Sequence, residues 1–416
     1  MKLKLLFAVW MGMLMSRAYT QNFPQQTPDY IQSIFFEVNG QMEAFPILGS
    51  RDVAILHFDD LRAQEADYFY SLKYFDHNWE PSTLFENEYL QGIAQGRIID
   101  FVNAVNTIQP YTHYRLAFPN TETQPLLSGN YLVEVQDISG NIIFSRPFAI
   151  SEERINIAGS LHRSIDLEDF QTHQRVQFSI NNAGNSLRQP EGRLHVYVIQ
   201  NRRWDKMQGP IPIQFNRGNQ IDFRLDPLLQ FNGENEFLFF DTKDARIPGP
   251  QTAYVESADL YTTHLHVDRF FGQSPYSWTA DLNGRFQIQT VQNYGDRHQI
   301  ADYTWVHFNF NAPAPNTDDR VFVLGHFNNF LPTQKSEMLF NPETGQYENF
   351  ILLKQGVYNY QYYLSNSSDH SNILPLGGQH AQTENEYTVL VYYRDFGALH
   401  DALIGSETLN SFNLMN

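Results

Sequence analysis

A chain of 416 residues with 46 acidic and 28 basic side chains carries a formal net charge of −18, and such a field repels phosphate backbones and anionic headgroups, which argues against a nucleic-acid partner. The absence of cysteine excludes disulfides, thiolate catalysis and a lipid-modified N-terminal cysteine. Aromatic residues make up 15% of the chain, with 33 Phe and 23 Tyr, a composition that favours strands.

At the start, Lys2 and Lys4 precede an apolar run from Leu5 to Met15, and Ser16-Arg17-Ala18 places small residues at the −3 and −1 positions of a cleavage site. This predicts a signal peptide over 1–18, because the run is shorter than the ~20 residues of a spanning helix. Its removal takes away three cations and no acid, bringing the net charge to −21. Residues 19–28 read as a polar leader. Strands are then predicted at 31–38 before the Asn39-Gly40 turn, at 53–58, and at 68–75, where Tyr68, Tyr70, Leu72 and Tyr74 share one face by the period of two. Residues 89–104 fit either a strand or a short helix. Further strands are predicted at 131–135 and 142–148. A second set begins at Ile155 and includes 175–180, 194–199, 236–240, 261–267 and 286–291. A third starts near Ala301 with 303–310, 321–324, 346–353, 357–364 and 387–393. No long amphipathic helix pattern competes. The expected architecture is all-β, with three consecutive immunoglobulin-like or early-set β-sandwich domains at 25–150, 151–297 and 298–416.

Catalytic spacing is absent: there is no His-Glu-x-x-His, no Gly-x-Ser-x-Gly and no phosphate-cradling glycine loop. The expectation is therefore no catalytic, cofactor-binding or metal residues, and no cofactor. Asp59-Asp60 form a carboxylate pair, but neighbours on a strand point to opposite faces, and at a strand end they read as turn caps. His264 and His266 share a strand face and could hold zinc with a third ligand. His57, His113, His195 and His307 lie in apolar or aromatic surroundings and read as packed histidines. Trp79 could stack on a sugar, but burial is the commoner use of tryptophan in a sandwich.

Several segments together resemble the plug protein family of the bacterial type IX secretion system. Over residues 30–150 they are Phe58-Asp59-Asp60-Leu61, Tyr68-Phe69-Tyr70, Trp79-Glu80-Pro81-Ser82, Glu88-Tyr89-Leu90-Gln91-Gly92, Tyr111-Thr112-His113-Tyr114, Pro119-Asn120 and Ser128-Gly129-Asn130-Tyr131. The likeness continues through Gln200-Asn201-Arg202-Arg203-Trp204-Asp205, Gly233-Glu234-Asn235-Glu236-Phe237, Asp281-Leu282-Asn283-Gly284, Ala301-Asp302-Tyr303, Thr383-Glu384-Asn385-Glu386-Tyr387 and Val391-Tyr392-Tyr393-Arg394. Phe75 departs from the family, which would place a smaller residue, often Cys, before Asp76. The resemblance implies a non-enzymatic periplasmic protein at the inner face of the outer membrane. Its implied partner is the giant translocon barrel, whose pore it closes when no substrate is passing. No small-molecule substrate and no membrane span of its own are implied.

A second likeness suggests a different class. Gly325-His326-Phe327-Asn328-Asn329-Phe330 resembles the Gly-Asp-Phe-Asn-x-Trp turn of early-set domains near glycogen-binding modules. This makes a periplasmic or surface carbohydrate-binding module the alternative, weakened by Phe330 in place of Trp. By motif position, 81–88 and 325–330 are the expected contact turns.

Overall fold

The computed structural model describes residues 27–183, 186–270, 272, 274–292, 294–313, 319–365 and 373–413. The expected signal peptide lies outside the described residues. The chain is all-β, with several packed sheets and, among the described residues, only single-turn helices such as Glu86–Tyr89 and Arg297–Ile300.

The N-terminal unit is a sandwich of two five-stranded sheets. One is ordered Gln41–Glu43, Ile31–Val38, Ala54–Asp60, Thr112–Phe118, Asp100–Asn103, and the other Ile47–Leu48, Ile142–Ile150, Gly129–Gln136, Phe69–Phe75, Gln95–Arg97. Alternation decides which side chains meet. Tyr70, Leu72 and Tyr74 face inward against Leu56, Phe58, Tyr114 and Phe144, forming a largely aromatic core. The ambiguous stretch at 89–104 resolves into the end of the Glu86–Tyr89 turn and the short strands Leu90–Gly92, Gln95–Arg97 and Asp100–Asn103. A bulge between Gln32 and Phe35, with Ser33 at φ +52°, shifts register on the first strand. Phe36 consequently enters the sandwich core, while Phe35 is buried in the core of another unit.

A second sandwich encloses a separate core of Val176, Phe178, Val196, Val198, Ile221 and Val389. One of its sheets runs Ile157–Arg163, His173–Asn181, Gln220–Phe223, Phe215–Asn216. The facing sheet runs Met207–Gln208, Leu194–Gln200, Glu386–Tyr393, Ala402–Asn410. Its inner pair, Leu194–Gln200 and Glu386–Tyr393, is joined antiparallel from Leu194 opposite Tyr393 to Gln200 opposite Tyr387.

The third unit is one eleven-stranded sheet built from strands between Leu238 and Pro375. It bends on itself, so that Phe240, near one end of the strand order, packs edge-on against Phe308 of Tyr303–Asn311 with ring centroids 5.6 Å apart.

These pairings correct the expected division at 297/298. Leu238–Asp241 and Phe286–Ile288 pair with Gly356–Ser365, and Tyr261–Leu265 pairs with Tyr303–Asn311, so that cut would split one sheet. The last two long strands do not belong to this sheet; they complete the second sandwich. Periodicity identifies strands but not their partners, and an insertion between two paired strands leaves no mark in composition.

Candidate functional site

Several of the polar residues singled out in the sequence, Asp59, His57 and His113 among them, lie at a seam between units. On Ala54–Asp60, Leu56 and Phe58 point into the first core, so His57 and Asp59 lie on the outer face. Asp59 stands opposite His113 across the sheet. The third unit covers this face, and Asp59 becomes completely buried. It receives hydrogen bonds from Lys354 Nζ at 2.7 Å and Tyr303 Oη at 2.6 Å, and lies 2.6 Å from His113 Nδ1. Lys354 also donates to the His298 carbonyl at 2.7 Å and sits 3.9 Å from the centroid of the Tyr111 ring. Burial pushes the Asp59 carboxyl up, but the Lys354 ammonium and the His113 ring outweigh it and hold it at about 2. Burial lowers Lys354, and Asp59 opposes that shift. The pair is an ion pair between two units.

The turn-cap expectation therefore holds for one of the two aspartates. Asp60 accepts from the Arg62 backbone N–H at 2.9 Å, from the Arg62 guanidinium and from Tyr68 Oη. Asp59 is not a cap, because the strand continues through both residues and turns it to the opposite face.

His57, His113 and His298 are buried side by side, with ring centroids 5.2, 4.8 and 5.1 Å apart. Phe35 stacks on His57 at 4.7 Å. Burial first, and then the neighbouring imidazoles, lowers His57 and His298 to about 2; burial also lowers His113, against the pull of Asp59. The reading of His57 and His113 as packed histidines is correct as to burial. It omits His298, which reaches them from the Arg297–Ile300 turn.

The His264/His266 pair does not form a site. His266 lies beyond the end of its strand and is exposed. His264 instead meets His307 of the neighbouring strand, Nδ1 to Nδ1 at 2.8 Å. These two belong to a row of rings across four strands. Tyr254 stacks on His264 at 4.1 Å, His264 meets His307 edge-on at 4.9 Å, and His307 stacks on Phe350 at 4.0 Å. Tyr254, Phe350, Trp305 and Leu339 are exposed on this sheet. Beside it, a cavity of about 1020 Å³ opens between the units, bordered by Trp305, Phe350, Phe45, Trp204, Arg202 and Phe330. His195, the remaining packed histidine, stacks face to face on His77 at 3.6 Å.

Trp79 is buried, as expected, but in a core shared by two sandwiches. It meets Phe45, Phe75 and Trp204 at 6.1, 5.8 and 4.6 Å, within a cluster that includes Ile199 and Leu403 of the second sandwich. Phe75, the departure from the family pattern, fills part of this seam. Trp79 takes φ +63°, a conformation rare for a large side chain and held here by packing on all sides. Phe330 is also buried, with the Arg203 guanidinium 3.8 Å from its ring centroid. Neither Trp79 nor Phe330 presents an open aromatic face to a sugar.

Other motif residues have the same role. Arg203 is buried and donates to Glu234 at 2.9 Å and to Tyr363 Oη at 2.6 Å. Asn201 donates to Asn385 at 2.7 Å, and Tyr392 donates to Asn130 at 2.7 Å. Arg394 bridges Asp401 and Asp76. Arg203, Tyr392 and Arg394 thus act where units join, and the Asn201–Asn385 bond closes the end of the second sandwich.

Residues 31–152 match the family described as the type 9 secretion system plug protein first domain. The chain belongs to the type IX secretion system plug family. The match spans the whole N-terminal sandwich, including Asp59, Trp79 and His113. A crystal structure of a hypothetical protein from Parabacteroides merdae ATCC 43184 is similar over nearly the full length. It shares 32% identity with a TM-score of 0.87, and the alignment covers 92% of this plug-family chain and 98% of that one. The likeness therefore extends beyond the first sandwich to the arrangement of all three units. No curated protein matches the chain. Among the described residues, no helix is long and apolar enough to cross a membrane.

Proposed function

We propose that this protein is a non-catalytic component of the type IX secretion system that binds the periplasmic mouth of the outer-membrane translocon barrel and closes its pore when no substrate is passing. The observation that carries the reading is the match of residues 31–152 to the plug first domain. The seams support it. A plug must resist being pulled apart across its own junctions, and here a buried ion pair and a shared aromatic core tie the first sandwich to the other two units. The open ring row with Trp305 and Phe350 supplies apolar anchors of the kind that dominate protein interfaces. A standard interface of roughly 1,600 Å² suffices for specific binding. The mature chain acts in the periplasm after removal of 1–18.

The test is conductance of the purified barrel in a planar bilayer, with and without this protein on the periplasmic side, paired with a pull-down from solubilised outer membrane. The expected result is lower conductance and co-purification of a large barrel. The double variant Trp305→Ala/Phe350→Ala should weaken association at least tenfold while leaving unfolding unchanged. Unchanged conductance together with no barrel in the pull-down would refute the plug reading.

A further inference from the structure

The three buried imidazoles come from two strands and a helical turn that no sequence spacing links, yet one ring nitrogen from each lies within 4.8 Å of the others. Their hydrogen bonding is incomplete: His57 Nε2 and His298 Nδ1 are buried without a hydrogen-bond partner. His113 is oriented from behind. Its Nδ1 lies 2.6 Å from Asp59, which Lys354 and Tyr303 hold in place. A carboxylate behind one nitrogen is the arrangement that fixes the tautomer of a metal-ligating histidine and makes the other nitrogen more basic. That other nitrogen, Nε2, faces His57 Nδ1 at 3.1 Å. Ligands about 2.0 Å from a tetrahedral zinc ion stand roughly 3.3 Å apart, so this pair already has close to the required spacing.

Glu37 lies beside the cluster: its Oε2 is 3.9 Å from His57 Nε2 and 3.8 Å from His298 Nε2, and His298 Nε2 accepts from Arg297 Nε at 3.2 Å, which leaves Nδ1 as its unpartnered nitrogen. A cavity of about 320 Å³, lined by Phe35, Glu37, Arg297 and His298, gives an approach path. The cations at the cluster are matched, Arg297 by Glu37 at 3.3 Å and Lys354 by Asp59 at 2.7 Å.

We propose that His57, His113 and His298 form a zinc(II) site, with a water completing it, that clasps the first sandwich to the turn entering the third unit. Imidazole donors favour a borderline transition metal over calcium or magnesium. When the ion takes His57 Nδ1 and His113 Nε2, the proton between them shifts to His57 Nε2, so both imidazoles stay neutral and no redox step is involved.

The experiment uses the full mature chain, with any affinity tag removed, stripped of metal and dialysed against zinc(II) chloride. One equivalent of zinc should be retained, and X-ray absorption should show three imidazole nitrogens at about 2.0 Å. His298→Gln should weaken binding at least tenfold, whereas His264→Gln, at the separate surface pair, should leave it unchanged. Failure of the wild-type chain to retain zinc would overturn the proposal. So would equal affinity in His298→Gln, or loss of the ion in His264→Gln. If His298→Gln does not fold, the wild-type stoichiometry and absorption spectrum still decide the question.

Discussion

Replacing Lys354 by methionine tests whether the seam between the first sandwich and the third unit rests on a buried charge pair. Methionine keeps most of the side-chain volume and removes the ammonium. At an effective dielectric of about 20, unit charges separated by the 2.7 Å seen here attract by about 6 kcal/mol. The change also removes a hydrogen bond to the His298 carbonyl and the contact with the Tyr111 ring. Against this, the cost of burying the ammonium disappears. Breaking one side of a buried pair costs about 3–5 kcal/mol in general. Asp59 keeps His113 and Tyr303, both at 2.6 Å, which places the expected loss near the lower end, about 3 kcal/mol. The Asp59 carboxyl should rise from about 2, since the strongest group opposing burial is gone. The assay is urea denaturation followed by tryptophan fluorescence, with limited proteolysis to identify the unit released. Several cores make more than one transition the expected behaviour. The loss should fall on the transition that frees the first sandwich, and Lys354→Met/Asp59→Asn should recover part of it. A Lys354→Met protein within about 0.5 kcal/mol of wild type would refute the reasoning.

Trp79→Ala removes a buried tryptophan from the seam between the two sandwiches and should cost about 3–5 kcal/mol, read as a shift in denaturation midpoint; an unchanged midpoint would contradict its packing role. Stability should also fall in acid. His57 and His298 are held at about 2, below the ordinary 6.5, so below pH 6.5 the unfolded chain takes up protons that the native chain refuses. Their contribution is thus complete above pH 6.5 and declines toward lower pH by up to about 1.4 kcal/mol per pH unit for each histidine. Glu236, raised to about 7 by burial, acts in the opposite sense: its native protonation stabilises below pH 4.5, and that gain is lost as pH rises to 7. Comparing wild type with His298→Gln in metal-free buffer cancels such background, and between pH 6 and 5 the variant's slope should be shallower by about 1.4 kcal/mol per unit. Equal slopes would show that His298 takes up its proton in the native state.

Strands were legible because apolar and aromatic runs bounded by turn signals favour extended backbone: 31–38 is a strand from Ile31 to Val38, and the 68–75 expectation differs from Phe69–Phe75 by one residue. Ala402–Asn410 was missed. Its second half, Ser406-Glu407-Thr408-Leu409-Asn410, is mostly polar, and although its partner Glu386–Tyr393 is close in sequence, the sheet that gives both strands an inner face continues through Leu194–Gln200, nearly two hundred residues earlier. The candidate site was hidden for a related reason. His57 and Asp59 alternate with Leu56 and Phe58 as residues of a solvent-facing side do, and nothing local reveals that another unit covers them. His298 and Lys354 carried no signal of their own. The family motifs pointed to the right residues without stating their role, since Arg203 and Tyr392 find Tyr363 and Asn130 only after the units dock.

The pairing of Leu194–Gln200 with Glu386–Tyr393 also sets an order of events during synthesis. Ile199 stands opposite Thr388, so a strand made early waits for roughly 190 further residues before its neighbour exists. At 5–20 residues per second that interval is about 10–40 s. Throughout it, one sheet of the second sandwich lacks its two long strands, and Val196 and Val198 have only part of their core. The inserted third unit is complete in sequence by Pro375 and can close first, carrying the end of the chain back toward the waiting edge. A nascent chain stalled after that point would present a finished first sandwich, a finished third unit and, between them, an open edge strand suited to capture by a chaperone or by another copy's C-terminal strands.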